Sequence, residues 1–145
     1  MTGWRIGFAL GREEIITALL KVKANIDSGV FTAIQRASIV ALKNSFKLSK
    51  KTNRLYRRRR DLLVSGLRNF GFPVKKNEAS FYVFTRLPKG LKDSSAFCKN
   101  LLEKTGIVAT PGIGFGTAGE GFVRFTLTVS EPGIREALAR MRKIF

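Results

Sequence analysis

Pro111-Gly-Ile-Gly-Phe-Gly-Thr-Ala-Gly-Glu-Gly-Phe-Val-Arg-Phe-Thr-Leu-Thr-Val129 joins a glycine-rich loop to a segment of strict alternation. Val123, Phe125, Leu127 and Val129 fall on one face, and Phe122, Arg124, Thr126 and Thr128 on the other. A period of two with one apolar row predicts a half-buried β-strand. Arg124 then sits in mid-strand on the polar row, where a rigid guanidinium fork suits a carboxylate or a phosphate. From the strand alone, an arginine facing water is the preferred reading. The glycines at 112, 114, 116, 119 and 121 favour the ligand reading, because they cost backbone entropy and are useful where the chain approaches something closely. Gly114-Phe-Gly-Thr-Ala-Gly119 also spells a dinucleotide fingerprint. That fingerprint needs a strand before it and a helix after it, and here a strand follows.

Working outward, Met1-Thr-Gly-Trp-Arg-Ile-Gly-Phe-Ala-Leu-Gly11 alternates large apolar with small residues and predicts a short buried strand. Helices are predicted over 12–25 and 31–42, separated by the turn Asn25-Ile-Asp-Ser-Gly29. The longest helix runs over 48–70, with Gly71 and Pro73 as its stop. It contains Arg57-Arg-Arg-Arg60, whose charges fan around the axis and read as a solvated, partly salt-bridged surface. Beyond it, 80–86 predicts a strand. Asp93 or Ser94 caps a helix that ends at Gly106, 107–110 predicts another strand, and Ser130 caps a last helix. The order implies an α+β layer pair, an antiparallel or mixed sheet with helices on one face.

Composition narrows the chemistry. The chain has 145 residues, 44% of them hydrophobic, enough for a folded core. It has no histidine, which excludes Ser-His and Cys-His catalysis and the usual zinc sites. A single cysteine, Cys98, excludes an internal disulfide, and its place among apolar helix positions reads as a buried, inert thiol. No apolar run approaches the roughly 20 residues of a membrane span, and no signal peptide is expected. The net charge of +17 recommends a polyanion as a partner, although the cations are spread along the chain.

Two of these stretches carry a resemblance. Pro-Gly-Ile-Gly-Phe-Gly with Gly-Glu-Gly-Phe-Val-Arg-Phe-Thr-Leu-Thr resembles the C-terminal signature of class I/II, fold-type I, pyridoxal-phosphate aminotransferases. Met-Thr-Gly-Trp-Arg-Ile-Gly resembles the stretch that follows the cofactor-bearing lysine in that family. The run Ile-Asp-Ser-Gly-Val-Phe-Thr-Ala-Ile-Gln is most similar to the LL-diaminopimelate aminotransferase branch.

The resemblance implies that residues 1–45 are the last part of a large cofactor-binding domain. Residues 46–145 would be the small domain, with a long interdomain helix over 46–70. It implies that Arg5 binds the phosphate of pyridoxal 5'-phosphate and that Arg124 binds the substrate α-carboxylate. Phe81 and Tyr82 could line the substrate entrance, with plain core aromatics as the other reading. Ser28 and Gly29 are candidate contacts across a homodimer, or a simple loop turn. The implied partners are an amino acid and a 2-oxo acid, in the cytoplasm, in amino-acid biosynthesis.

The cofactor lysine would stand before Met1, and no lysine in the chain occupies that motif position. The expectation is therefore a C-terminal fragment without catalytic residues of its own, inactive alone, and apolar at its surface around Trp4, Ile6 and Phe8. The alternatives are a basic module binding polyanions or nucleic acid, and a non-catalytic structural or regulatory relative.

Overall fold

The computed structural model describes residues 1–75 and 78–145. The chain forms two compact units, Met1–Lys51 and Thr52–Phe145.

The first unit opens with a 3-10 turn at Thr2–Trp4, followed by α1 (Glu13–Lys23) and α2 (Thr32–Lys43). Glu13 and Glu14 lie in the first turn of α1 and Lys21 and Lys23 in its last, complementing the helix dipole at both ends. The strand expected over 1–11 is not formed. Arg5 takes φ +50°, and the chain runs on without regular structure to α1. A strand requires a partner for its ladder of N–H and C=O groups, and none is present among the described residues. Trp4 and Phe8 are 61% and 69% exposed, as expected of this surface, whereas Ile6 between them is half-buried. Neither α1 nor α2 buries a residue.

α3 (Ser45–Asn69) leads into the second unit, which contains all the buried residues described. There β1 (Tyr82–Arg86), α4 (Ser94–Thr105), β2 (Thr110–Pro111), β3 (Phe122–Thr126) and α5 (Glu131–Met141) follow in order. β3 is the central strand of an antiparallel sheet in the order β1-β3-β2. The strand expected over 107–110 is displaced to Thr110–Pro111, because only there does β3 offer partners, Arg124 and Val123.

The inner face of the sheet supplies Val83, Thr85, Val123 and Phe125, and Leu87 and Leu127 continue these rows past the strand ends. They join Leu63, Val64 and Leu67 of α3, Phe97, Cys98 and Leu101 of α4, and Ile134 and Met141 of α5 in one core. Phe72 packs edge-on against both Phe97 and Phe125, at centroid distances of 5.9 and 6.0 Å. The expected α+β arrangement is therefore present. The alternation ends earlier than expected, since β3 stops at Thr126 and Val129 is exposed where the chain turns into α5.

The predicted caps are in place. Asp93 accepts a hydrogen bond from the N–H of Ala96 at 2.8 Å, and Ser130 one from Gly133 at 3.4 Å. Gly106 closes α4 at φ +70°.

Candidate active-site arginine on the open sheet face

Arg124 projects from the middle of β3 on the face away from the core, half-buried, opposite Phe84 of β1 and Thr110 of β2. Its position follows from the alternation: Val123 and Phe125 face the core, so residue 124 must face the other way. The guanidinium carbon lies 4.2 Å from the ring centroid of Tyr82 and 4.7 Å from that of Phe115. Nη2 donates to Thr110 Oγ1 at 3.4 Å. The electron-rich ring faces attract the cation and hold its plane while leaving in-plane N–H groups for an acceptor. An open cleft of about 600 Å³ lies beside it, lined by Tyr82, Thr110, Arg124 and Thr126 of the sheet and by Glu136 and Arg140 of α5. Arg140 is paired with Glu136 and donates to Thr105 O at 3.3 Å, so its charge is already engaged.

The two rings beside Arg124 belong to a longer ladder. Tyr82 packs on Phe81 at 4.5 Å, and Phe81 on Tyr56 of α3 at 6.0 Å. On the other side Phe115 meets Phe84 edge-on at 5.7 Å, Phe84 stacks on Phe122 at 5.1 Å, and Arg86 covers Phe122 at 5.1 Å. Phe81 and Tyr82 are thus both half-buried, and Tyr82 is the one that touches Arg124.

The glycine loop folds on itself. A Cβ on Gly112 would stand 2.0 Å from the carbonyl oxygen of Gly119, and one on Gly119 would stand 2.1 Å from that of Gly112. The close approach read from the glycines is therefore made, at these two positions, between two stretches of the loop's own backbone. Gly116 and Gly121 take φ of +103° and +76°, which only glycine adopts without strain. Beside Gly114 the space is open.

Glu120 fastens the loop to α4. Its Oε1 accepts from the N–H of Ser94 at 2.7 Å and from that of Gly121 at 2.9 Å, and Ser94 Oγ accepts from the N–H of Ile113 at 3.3 Å. These donors hold the Glu120 carboxyl below its usual pKa, the Ser94 N–H contributing most. Sequence reading singled out neither Phe115 nor Glu120 nor Thr110. The only signal was the position of Phe115 and Glu120 among the glycines.

The arginine run is largely committed within the unit. Arg58 pairs with Glu131 at 2.9 Å and Arg60 with Asp61 at 2.6 Å. Arg59 donates to the carbonyls of Leu127 and Thr128 at 3.0 and 3.2 Å, just past the end of β3.

Arg5, Ser28 and Gly29 stand in the first unit. Arg5 is exposed at its left-handed position and lines an open pocket with Met1, Ile6 and Gly7. Gly29, at φ +96°, donates its N–H to Asp27 Oδ1 at 2.8 Å, and Asp27 also pairs with Lys23. Both hydrogen bonds, Lys23 first, hold the Asp27 carboxyl below its usual pKa.

A family model for aminotransferase class I and II matches residues 1–141. The chain belongs to the class I and II aminotransferase family. It is 50% identical over 142 residues to the LL-diaminopimelate aminotransferase of Halothermothrix orenii, covering 98% of this chain and 36% of that relative. To the LL-diaminopimelate aminotransferase of Nitratidesulfovibrio vulgaris (strain Miyazaki F) it is 44% identical over 144 residues, covering 99% of this chain and 37% of the relative.

Among solved aminotransferases, the aromatic aminotransferase of Pyrococcus horikoshii OT3 superposes with a TM-score of 0.87 at 35% identity, over 99% of this chain and 39% of its own. A tetra mutant of the Thermus thermophilus aspartate aminotransferase gives 0.87 at 35%, over 100% and 40%. The chain therefore spans well under half the length of the aminotransferases it matches. Full-length members of the family depend on pyridoxal phosphate. No helix among the described residues is long and apolar enough to cross a membrane.

Proposed function

We propose that this chain is the C-terminal part of a pyridoxal-phosphate aminotransferase in which Arg124 binds the α-carboxylate of the amino acid and the 2-oxo acid. The observation that carries the reading is the placement of Arg124. It is a guanidinium in mid-strand, flanked by two rings, beside an open cleft, with the neutral hydroxyl of Thr110 accepting from it. A carboxylate accepting from that fork makes a charge-assisted, bidentate pair, worth about 1.5–3 kcal/mol.

The residues at the start of the chain fit the cofactor's phosphate. Arg5 supplies one guanidinium to its pocket, and the backbone at Gly3 and Gly7 has open space around it, so an anion can come close. Arg5 would hold the phosphate by charge. When bound, pyridoxal phosphate supplies the electron sink for amino-group transfer. In this reading the chain contributes two separate anion holders, Arg5 for the cofactor's phosphate and Arg124 for the substrate's carboxylate.

In this reading residues 1–45 complete the cofactor domain and 46–145 form the small domain. The enzyme is a cytoplasmic homodimer of amino-acid biosynthesis, and the exposed turn at Ser28 and Gly29 contacts the partner subunit. The amino donor is LL-diaminopimelate or a close analogue, supported by the names of the relatives at 44–50% identity. The chain alone does not turn over substrate in this reading, since it offers no lysine at the cofactor-attaching position.

The test is Arg124→Lys in the enzyme that contains this chain. Lysine keeps the charge and loses the planar fork. KM for the amino acid should rise about tenfold to a hundredfold, the range that 1.5–3 kcal/mol implies, with thermal stability unchanged. Unchanged KM would refute the assignment.

A further inference from the structure

We propose that Phe115 is a positioning residue for the Arg124 guanidinium, and that Glu120 fixes Phe115 by fastening the glycine loop to the N-terminus of α4. The inference rests on the reading of Arg124 as a carboxylate-binding group and adds the residues that aim it.

A free arginine side chain has many rotamers, and each must be given up when it binds. Arg124 has lost much of that freedom already. Tyr82 meets it from β1, and Phe115 meets it from the loop, at 4.7 Å. These two supports differ in origin. Tyr82 is held by the ladder of β1, whereas Phe115 sits at the end of a 3-10 turn (Gly112–Phe115) followed by Gly116 at φ +103°. Left to itself, a segment so rich in glycine would not hold an aromatic ring still.

Three contacts hold it. Phe115 packs edge-on against Phe84 of β1. Gly112 and Gly119 lock the two ends of the loop backbone together. Glu120 accepts from Ser94 and Gly121, while Ser94, fully buried, accepts from Ile113 within the same 3-10 turn as Phe115. The first helical N–H groups of α4 have no partner within the helix, so a carboxylate there is favourably placed. A line of contact thus runs from α4 through Glu120 and the loop to Phe115 and Arg124.

The test is a titration of the full 145-residue chain with succinate, followed by NMR of the arginine Nε–Hε signals. Arg124→Ala identifies the signal and checks the site. Phe115→Leu keeps apolar bulk without a ring face, Phe115→Tyr restores the ring, and Glu120→Gln weakens the fastening. The far-ultraviolet spectrum and melting temperature of each variant serve as folding controls.

Phe115→Leu should weaken succinate binding about threefold to tenfold, the loss of one cation–π contact. Phe115→Tyr should restore it, and Glu120→Gln should weaken it about twofold to fivefold. If the wild-type chain shows no saturable binding lost in Arg124→Ala, the carboxylate reading fails and this inference with it. If Arg124→Ala abolishes binding while Phe115→Leu and Glu120→Gln leave it unchanged, only the positioning role is overturned.

Discussion

Two glycines of the same loop should respond in opposite ways to the same small change. In Gly112→Ala, the new Cβ would meet the carbonyl oxygen of Gly119 at 2.0 Å, that of Phe122 at 2.7 Å and the Cβ of Phe122 at 2.9 Å. Two of these three atoms are backbone, and Phe122 is pinned by its pairing with Arg86, so no side-chain rotation relieves the clash. Relief requires the loop to part by about 1 Å or more, and overpacking of this kind costs about 1–3 kcal/mol. In Gly114→Ala nothing lies within 4 Å of the new atom, and the backbone there is not left-handed. Alanine also narrows the unfolded ensemble, which favours the folded state by about 0.4–1 kcal/mol.

The assay is thermal or urea unfolding of the full chain with each single substitution. For a domain the size of Thr52–Phe145, 1 kcal/mol moves the melting temperature by about 4–8 °C. Gly112→Ala should melt at least about 4 °C lower, and Gly114→Ala within a few degrees of the parent or above it. Equal stability of the two variants would refute the view that the loop is closed by backbone packing at Gly112 and Gly119.

Two further outcomes follow from the titrating groups. The folded-state pKa of Glu120 is depressed, so the unfolded chain binds more protons in the window below the ordinary carboxylate value. Its fastening is complete above that value and is lost as pH falls through the folded pKa. Amide exchange at Ser94 and Gly121, measured against pH, should show this loss in acid, and Glu120→Gln should remove the dependence; equal acid profiles would contradict it. Burial raises the pKa of the Cys98 thiol, so it should resist alkylation at pH 8 in the folded chain and react after denaturation. Rapid labelling of folded protein would show that the helix α4 face is not packed as described.

The local signals were legible because they are local. An alternation from Phe122 onward needs only a pleated strand to place Arg124 opposite the core row, and Asp93, Ser130 and Gly106 act on backbone groups a few residues away. The α+β layering followed from the order of such elements. The strand expected over 1–11 failed because pairing is not a local property, and an alternating segment without a neighbour has nowhere to place its ladder.

What the sequence by itself determined was the family signature, the order of elements from α1 onward, and the face on which Arg124 stands. Tertiary structure alone decided what surrounds that arginine. Tyr82 comes from β1, far back in the chain, while Thr110 and Phe115 come from the single stretch that precedes β3, and only the β1-β3-β2 pairing and the fold of the glycine loop bring them to one guanidinium. The same holds for the glycines. A glycine is written identically whether it makes room for a ligand, a turn or another backbone, and the difference lies in atoms that the fold alone brings within reach.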